Sequence, residues 1–166
     1  MGAYDILGVF SDNENIAAAA YSENFIDLGV TSPKIGVGQH APYLCIRTAV
    51  AATSTDSFSI ELRASATNDG TDLDGTVKTI MMPLAGVANA GSGVNEVLGS
   101  DARLSAAGAW IYRGPIPYET DLRYLQLYYN NTITDGNTWY VDAWLSDGPN
   151  STFRGSQVLF STVGQP

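Results

Sequence analysis

Residues Leu122 to Asp147, LRYLQLYYNNTITDGNTWYVDAWLSD, contain two runs in which every second residue is apolar. The apolar residues are Leu125, Leu127 and Tyr129 in the first run and Trp139, Val141, Ala143 and Leu145 in the second. Because the side chains of a β-strand point alternately to its two faces, this pattern predicts two half-buried antiparallel strands. The turn signal Asp135-Gly136-Asn137 between the runs predicts that the two strands form a hairpin.

The opposite faces of these two strands carry aromatic residues where a solvated strand would carry Lys, Glu or Thr. These residues are Tyr124, Tyr128, Tyr140 and Trp144. An aromatic row on an outward face needs a cover, either a second layer of the same chain or a neighbouring subunit. The four residues are therefore candidates for a subunit interface.

The rest of the chain repeats the strand pattern. Further strands are predicted at residues 21–28, 43–50, 57–65, 76–84 and 110–116. Residues 85–108, rich in Gly, Ala, Ser and Asn, form either a long ordered loop or a weak strand. The only helix-favouring patch, residues 13–20, is too short to be stable without packing. About eight short strands with turn residues at every junction predict an all-β, single-domain antiparallel β-sandwich of jelly-roll type over residues 1–166.

The two ends of the chain are predicted separately. Residues 1–12, with the apolar run Ile6, Leu7, Val9 and Phe10, are either an N-terminal arm or a first edge strand. Residues 148–166 form a C-terminal tail, in which residues 158–160 are a candidate last edge strand.

Composition and charge exclude several classes of partner. The net charge is −9 and the pI is near 4.2, so we expect neither nucleic-acid binding nor attraction to an anionic membrane surface. No apolar run approaches the ~18 residues of a membrane span, and no secretory signal is visible. Only 15% of the residues are charged, which suits a chain with much surface buried between subunits. The single cysteine, Cys45, is predicted to be a buried structural thiol.

Catalytic, cofactor and metal sites find no support in the sequence. Asp69, Asp72 and Asp74 resemble part of a calcium loop, but Ile80 stands where the closing glutamate would be needed. His40 is the only histidine and cannot build a multi-histidine site. Carboxylates that could form a glycosidase pair are Glu119, Asp121 and Asp142, although their spacing in sequence does not bring them together. We therefore expect no enzyme, no cofactor and no metal.

Several motifs occur in an order and spacing that carry a family resemblance. They are ILGVFSDNENI (6–16), SENFIDLG (22–29), the Gly36 and Gly38 loop before YLCIRTAV (43–50), and RYLQLYY (123–129) followed by AWL (143–145). In these motifs the chain resembles the small jelly-roll cement, or decoration, proteins that bind the outside of tailed-phage capsids. It departs from them in the longer GPIPYETD approach to Arg123 and in the tail after Asp147.

The resemblance implies a non-enzymatic bacteriophage virion protein, made in the host cytoplasm and seated on the outer capsid surface. Its partners would be the major capsid protein and itself, as a homotrimer. The N-terminal apolar side chains would then touch the shell or a neighbouring protomer: Tyr4, Ile6, Leu7, Val9 and Phe10.

A carbohydrate-binding jelly-roll module is the alternative function. Exposed Trp and Tyr side chains stack on sugar rings, and the row of Tyr124, Tyr128, Tyr140 and Trp144 could form such a platform. Four aromatics on adjacent strands would make a broad patch rather than a groove, which favours a protein interface over a sugar site.

Overall fold

A computed structural model describes residues 8–29, 42–53, 55–86, 96–116, 121–132 and 139–146. Within these ranges the chain forms strands and no helix. The strands are β1 (Val9–Asn15), β2 (Ala20–Tyr21), β3 (Ile26–Asp27), β4 (Tyr43–Val50), β5 (Ser57–Ser65), β6 (Thr67–Asn68), β7 (Leu73–Asp74), β8 (Lys78–Leu84), β9 (Val97–Leu98), β10 (Trp110–Pro115), β11 (Tyr124–Thr132) and β12 (Tyr140–Ser146). Seven of them are six residues or longer, and the other five are two-residue pairings.

The strands form two main antiparallel sheets and a small ribbon. Sheet A has the order β1-β12-β4-β10, and sheet B has the order β2-β11-β5-β8. The short strands β3 and β9 add to sheet B by pairing with β11 and β5, while β6 and β7 pair with each other. The predicted all-β antiparallel sandwich is confirmed.

Alternating side chains of both sheets form one shared core. Leu44 and Ile46 of β4 contribute to it from sheet A, and Ile60 and Leu62 of β5 contribute from sheet B, all fully buried. Trp139 packs on Phe58 with ring centroids 4.5 Å apart. Burying each such side chain stabilises the fold by about 1.5–3 kcal/mol before the loss of conformational entropy is counted. The apolar faces predicted for β11 and β12 are the faces that lie in this core.

The predicted hairpin between β11 and β12 is wrong. β11 belongs to sheet B, where all nine of its residues pair with β5. β12 belongs to sheet A and lies between β1 and β4. Alternation specifies which face of a strand is buried but not which strand lies beside it, and here each strand has a long partner elsewhere in the chain.

The N-terminal strand is longer and more irregular than predicted. β1 runs to Asn15 as an end strand of sheet A, and its register with β12 shifts between Val9 and Ser11 and again between Ser11 and Glu14. Asn13 has a φ of 51°, in the left-handed region that Asn tolerates better than most residues. Such bulges occur at sheet edges, where they redirect a side chain or end the pairing.

The other predicted segments agree to different degrees. β4 and β5 have the predicted bounds, whereas residues 21–28 form only the short strands β2 and β3. The strand predicted from residue 76 begins at Lys78, and the part of 85–108 that is described contains β9. Several predictions concern residues outside the described ranges: Tyr4, Ile6, Leu7, His40, Glu119 and the tail 148–166.

Candidate interaction surfaces

The four candidate interface aromatics do not form one row. Tyr124 and Tyr128 lie on the outer face of sheet B, and Tyr140 and Trp144 lie on the outer face of sheet A. The prediction of a single aromatic platform is therefore wrong, for the same reason as the hairpin. Each sheet instead has its own outer surface with aromatic and arginine side chains.

The outer face of sheet A carries a group of residues that we call the tryptophan surface. Its members are Val9, Tyr43, Cys45, Arg47, Trp110, Arg113 and Trp144. Trp144 is only 2% exposed, because it packs with Val9, Cys45 and Tyr43. Trp110 lies beside it, with ring centroids 5.7 Å apart, and is 38% exposed. The chain itself thus covers one tryptophan of the pair and leaves part of the other open.

Two arginines flank these rings. The guanidinium carbon of Arg47 lies 5.9 Å from the centroid of the Trp144 ring, and that of Arg113 lies 4.9 Å from the centroid of the Trp110 ring. Arginine over a tryptophan face is attracted by the negative ring face. Trp and Arg are also enriched at the centres of protein interfaces.

Arg47 is held by the buried carboxylate of Asp142. Its Nε donates to Asp142 Oδ2 at 2.8 Å, and the side chain of Asp142 is 6% exposed. Asp142 Oδ1 also accepts the backbone N–H of Asn13 at 2.8 Å. One carboxylate therefore joins the centre of sheet A to the bulge in its end strand β1.

Arg113 is different from every other arginine in the described part of the chain. Arg47, Arg63, Arg103 and Arg123 each pair with a carboxylate at 2.7–2.9 Å. Arg113, on the end strand β10, is exposed and has no carboxylate within 4 Å among the described residues. Its positive charge is available to an external partner.

Cys45 lies beneath the tryptophan surface. It is fully buried and has no disulfide partner, as predicted for a structural thiol. Burial raises the pKa of the Cys45 thiol, and the nearby Arg113 guanidinium offsets this only in part. A neutral, covered thiol is a poor nucleophile.

The outer face of sheet B carries a second group, which we call the tyrosine surface. Its members are Tyr21, Phe25, Asp27, Glu61, Arg63, Arg123, Tyr124 and Tyr128. The guanidinium of Arg63 lies 3.6 Å from the centroid of the Tyr128 ring, and Tyr21 packs edge-on against the same ring. Arg63 also donates to Glu61 at 2.8 Å. Both the charge and the ring face are therefore occupied within the chain.

Arg123 and Tyr124 repeat this arrangement at the other end of β11. Arg123 lies 5.0 Å from the Tyr124 ring centroid and donates two hydrogen bonds of 2.7 Å to Asp27. These bonds lower the pKa of the Asp27 carboxyl below its usual value. The charges of Arg123 and Asp27 are therefore neutralised within the chain by a bidentate pair.

A ribbon of the chain covers the middle of this face. Gln126 lies between Tyr124 and Tyr128 but is fully buried. Its side chain accepts the N–H of Leu73 at 3.0 Å and donates to the carbonyl of Ser22 at 2.9 Å. Here the second layer of the same chain, one of the two covers predicted for the aromatic row, is present.

The carboxylate of Glu14 lies on strand β1, at one end of sheet A. Glu14 accepts hydrogen bonds from Ser11 and, at 3.0 Å, from the backbone N–H of Glu23. Ser11 in turn shares a 2.6 Å hydrogen bond with the hydroxyl of the fully buried Tyr129. Burial raises the pKa of Glu14, and the like charge of Glu23 raises it further. Burial likewise raises the pKa of Tyr129 well above its usual value.

Two of the N-terminal candidates fall in the described residues. Val9 belongs to the tryptophan surface and is 9% exposed. Phe10 is fully buried in the shared core. Its assignment as a capsid or neighbour contact is therefore corrected, since the side chain fills the core.

The aspartates of the calcium-like stretch have a local role. Asp69 Oδ1 accepts the backbone N–H groups of Thr71 and Asp72 at 2.9 and 2.8 Å and so holds the turn between β6 and β7. Within the described ranges, no three His, Cys, Asp or Glu side chains are grouped so that they could hold a metal ion. No helix in those ranges is long and apolar enough to cross a membrane.

Sequence reasoning missed Trp110 and Arg113. They are three residues apart, so strict alternation would put them on opposite faces of a strand. The register between β10 and β4 shifts after Trp110, and as a result Trp110 pairs with Arg47 while Arg113 pairs with Cys45, both on the outer face. The only sequence signal was a tryptophan and an arginine close together in a short strand.

Comparison of the sequence with protein-family models and with curated proteins gave no match to either. The resemblance to capsid decoration proteins therefore rests on the motifs quoted above.

Proposed function

We propose that this chain is a non-enzymatic capsid decoration protein of a tailed bacteriophage, which binds the outer shell as a homotrimer and stabilises the head. Its partners are two further copies of itself and the major capsid protein. The observation that carries the proposal is the tryptophan surface. There a partly exposed Trp110 and Arg113, which has no carboxylate partner among the described residues, lie together on an end strand of sheet A. This combination is typical of the centre of a protein interface.

The strand pairings support the jelly-roll fold that such a protein would have. Taken in chain order, β1, β2, β4, β5, β8, β10, β11 and β12 pair first with last, second with seventh, third with sixth and fourth with fifth. Nested pairings of this kind arise when one long antiparallel ribbon is wrapped into two sheets. A jelly roll is an eight-strand fold of two such sheets.

The physical basis of stabilisation is mass action on a repeated lattice. A chain that binds assembled shell subunits and not loose ones shifts the equilibrium toward the assembled shell. Many copies, each with a modest interface, add up over an icosahedral surface.

The alternative function, a carbohydrate-binding module, was based on a single platform of four aromatic side chains, which the described part of the chain does not contain. Its platform of four aromatics is divided between opposite faces of the sandwich. On the face with Tyr128, the ring is covered by Arg63 at 3.6 Å, which blocks the stacking surface that a sugar would use.

The proposal is tested by co-sedimentation of the purified chain with mature heads of its phage from which the chain is missing. Saturable binding at a fixed number per capsomer is expected. A chain that fails to bind the heads contradicts the proposal, and retention of that chain on a polysaccharide column would point to sugar recognition.

A further inference from the structure

The two ends of sheet A carry opposite charge. At one end, strand β10 presents the exposed Arg113, which has no carboxylate partner among the described residues, beside the partly exposed Trp110. At the other end, strand β1 and the segment after it present Asp12, Glu14 and Glu23. None of these three carboxylates has an ion pair within the described part of the chain.

At the acidic end, a bulge in strand β1 leaves the side chain of Asp12 exposed. Asp12 is exposed and lies in the bulge between Ser11 and Glu14, where β1 leaves its register with β12. The backbone N–H of the next residue, Asn13, is fixed by Asp142 at 2.8 Å. The position of Asp12 is therefore set by a buried carboxylate rather than by a free loop.

Both end strands are unsuited to extending the sheet into a neighbouring molecule. β1 has two register shifts, and β10 has a shift after Trp110 and ends in Pro115, which lacks an N–H group. Natural proteins use bulges and prolines to prevent edge-to-edge pairing. A contact between these ends must therefore be made by side chains.

We propose that the β10 end of sheet A in one copy, at Trp110 and Arg113, docks against the β1 end of the next copy, at Asp12. This inference rests on the homo-oligomer in the proposed function and names the contact that builds it. Arg113 pairs with Asp12 of its neighbour, and the neighbour's bulge covers the open part of Trp110. Because the two patches are different and lie at opposite ends of one sheet, the contact is head to tail, and its repetition builds the proposed homotrimer where the rotation between copies closes after three.

We assign the partner at this surface as a second copy of the chain, because the chain itself carries both the positive end at β10 and the negative end at β1. Glu14 lies beside Glu23, whose backbone N–H it accepts at 3.0 Å, and no basic side chain in the described ranges pairs with either carboxylate, so a cation arriving at this end meets uncompensated negative charge. The pKa of Glu14 is raised mainly by burial and further by the like charge of Glu23. The chain carries 17 acidic and 8 basic residues, which makes an unpaired arginine the scarcer of the two partners. Opposite charges across an interface fix its register and suppress wrong partners.

The test is a charge exchange measured by analytical ultracentrifugation of the full chain over a range of concentrations. Arg113→Asp and Asp12→Arg each place like charges face to face, and each should raise the dissociation constant of the oligomer by about 30-fold or more. The double variant, with both changes in one chain, should restore association. Trp110→Ala should raise the dissociation constant by about 30-fold, and the charge exchange should not restore association in that variant.

Matched controls separate this contact from general effects of charge and size. Lys78→Asp makes the same change of charge at an exposed position of sheet B, and Met82→Ala removes a side chain that is also 38% exposed. Both controls should associate like the wild type. Association that survives Arg113→Asp and Asp12→Arg, or a double variant that is not restored, overturns the inference.

The inference and the proposed function fail in different ways. A wild-type chain that stays monomeric at every concentration overturns the docking contact and the homotrimer together. A wild-type oligomer that binds heads but ignores the charge exchange overturns the docking contact alone.

Discussion

The outer faces of the two sheets use the same kinds of side chain but differ in what they leave unpaired. On sheet B, Arg63 and Arg123 each stack on a tyrosine and also pair with a carboxylate of the same chain. On sheet A, Arg113 stacks on Trp110 but has no carboxylate among the described residues, and Trp110 stays partly open. This difference is why we propose the interface on sheet A, where the chain leaves the aromatic–arginine surface incomplete, and not on sheet B.

The largest expected effect is on the free energy of unfolding, and it should differ between the buried Trp144 of sheet A and the half-buried Tyr128 of sheet B. Trp144→Ala should lower the free energy of unfolding by about 3 kcal/mol, because it empties a site that is 2% exposed. Tyr128→Ala should lower it by about 1.5 kcal/mol, since it removes only ring contacts with Tyr21 and Arg63. Urea denaturation measures both, and equal losses would show that the two surfaces are packed alike.

The two ion pairs give the next contrast. Asp142→Ala should lower the free energy of unfolding by about 2 kcal/mol, because it leaves Arg47 and the N–H of Asn13 without their buried acceptor. Asp27→Ala removes a more exposed pair with Arg123 and should cost less. Thermal or urea unfolding of the two variants checks the order, and a larger loss for Asp27→Ala would reverse our account of sheet A.

Reactivity of the single described thiol reports on the tryptophan surface directly. In the folded chain Cys45 should react slowly with an aromatic disulfide reagent, since it is fully buried and burial raises its pKa. Trp144→Ala should accelerate labelling by about tenfold or more, because Trp144 packs in the same cluster as Cys45. Tyr128→Ala serves as the control and should leave the rate unchanged; fast labelling of the wild type would contradict the packing described here.

The smallest expected effects are opposite pH dependences of stability at two carboxylates, Glu14 on strand β1 of sheet A and Asp27 on the tyrosine surface. Burial raises the pKa of Glu14 in the folded chain. The contribution of Glu14 to stability is therefore complete at a pH below the ordinary glutamate pKa, and it is lost as pH rises through the raised pKa. The hydrogen bonds from Arg123 lower the pKa of Asp27 in the folded chain. The contribution of Asp27 to stability is therefore present at a pH above the ordinary aspartate pKa, and it is lost as pH falls through the lowered pKa.

Urea unfolding at a series of acidic to neutral pH values checks these signs. Relative to the wild type, Glu14→Gln should gain stability as pH rises, and Asp27→Asn should lose it. Two variants with slopes of the same sign would show that the environments of these carboxylates are not opposite.

Local sequence patterns predicted the strands well where turn residues bounded them. β4 and β5 have the predicted bounds, and the apolar faces of β11 and β12 lie in the core as the alternation required. Alternation is a local property, so it could not show that β11 and β12 belong to different sheets.

The candidate site was harder to predict than the fold. The register shift after Trp110 changes which face of β10 the following side chains point to. Simple alternation therefore could not predict that Trp110 and Arg113 lie on the same face. Phe10 was assigned to an outside contact because the family resemblance implied one for the N-terminal apolar segment, although β1 turns its side chain into the core. The first error arises at a bulge, where one extra residue reverses the face of the residues beyond it. The second follows from ordinary alternation, because Val9 faces outward and the next residue, Phe10, faces the core.

The most direct test of the central claim is oxidative footprinting, read by mass spectrometry, of the chain diluted until it is monomeric and of the chain assembled on heads. Trp110 and Met82 are both 38% exposed and both oxidise readily, but they lie on different sheets. We expect Trp110 to be protected on assembly while Met82 keeps its reactivity. Protection of Met82 with Trp110 unchanged would place the interface on sheet B and contradict the account.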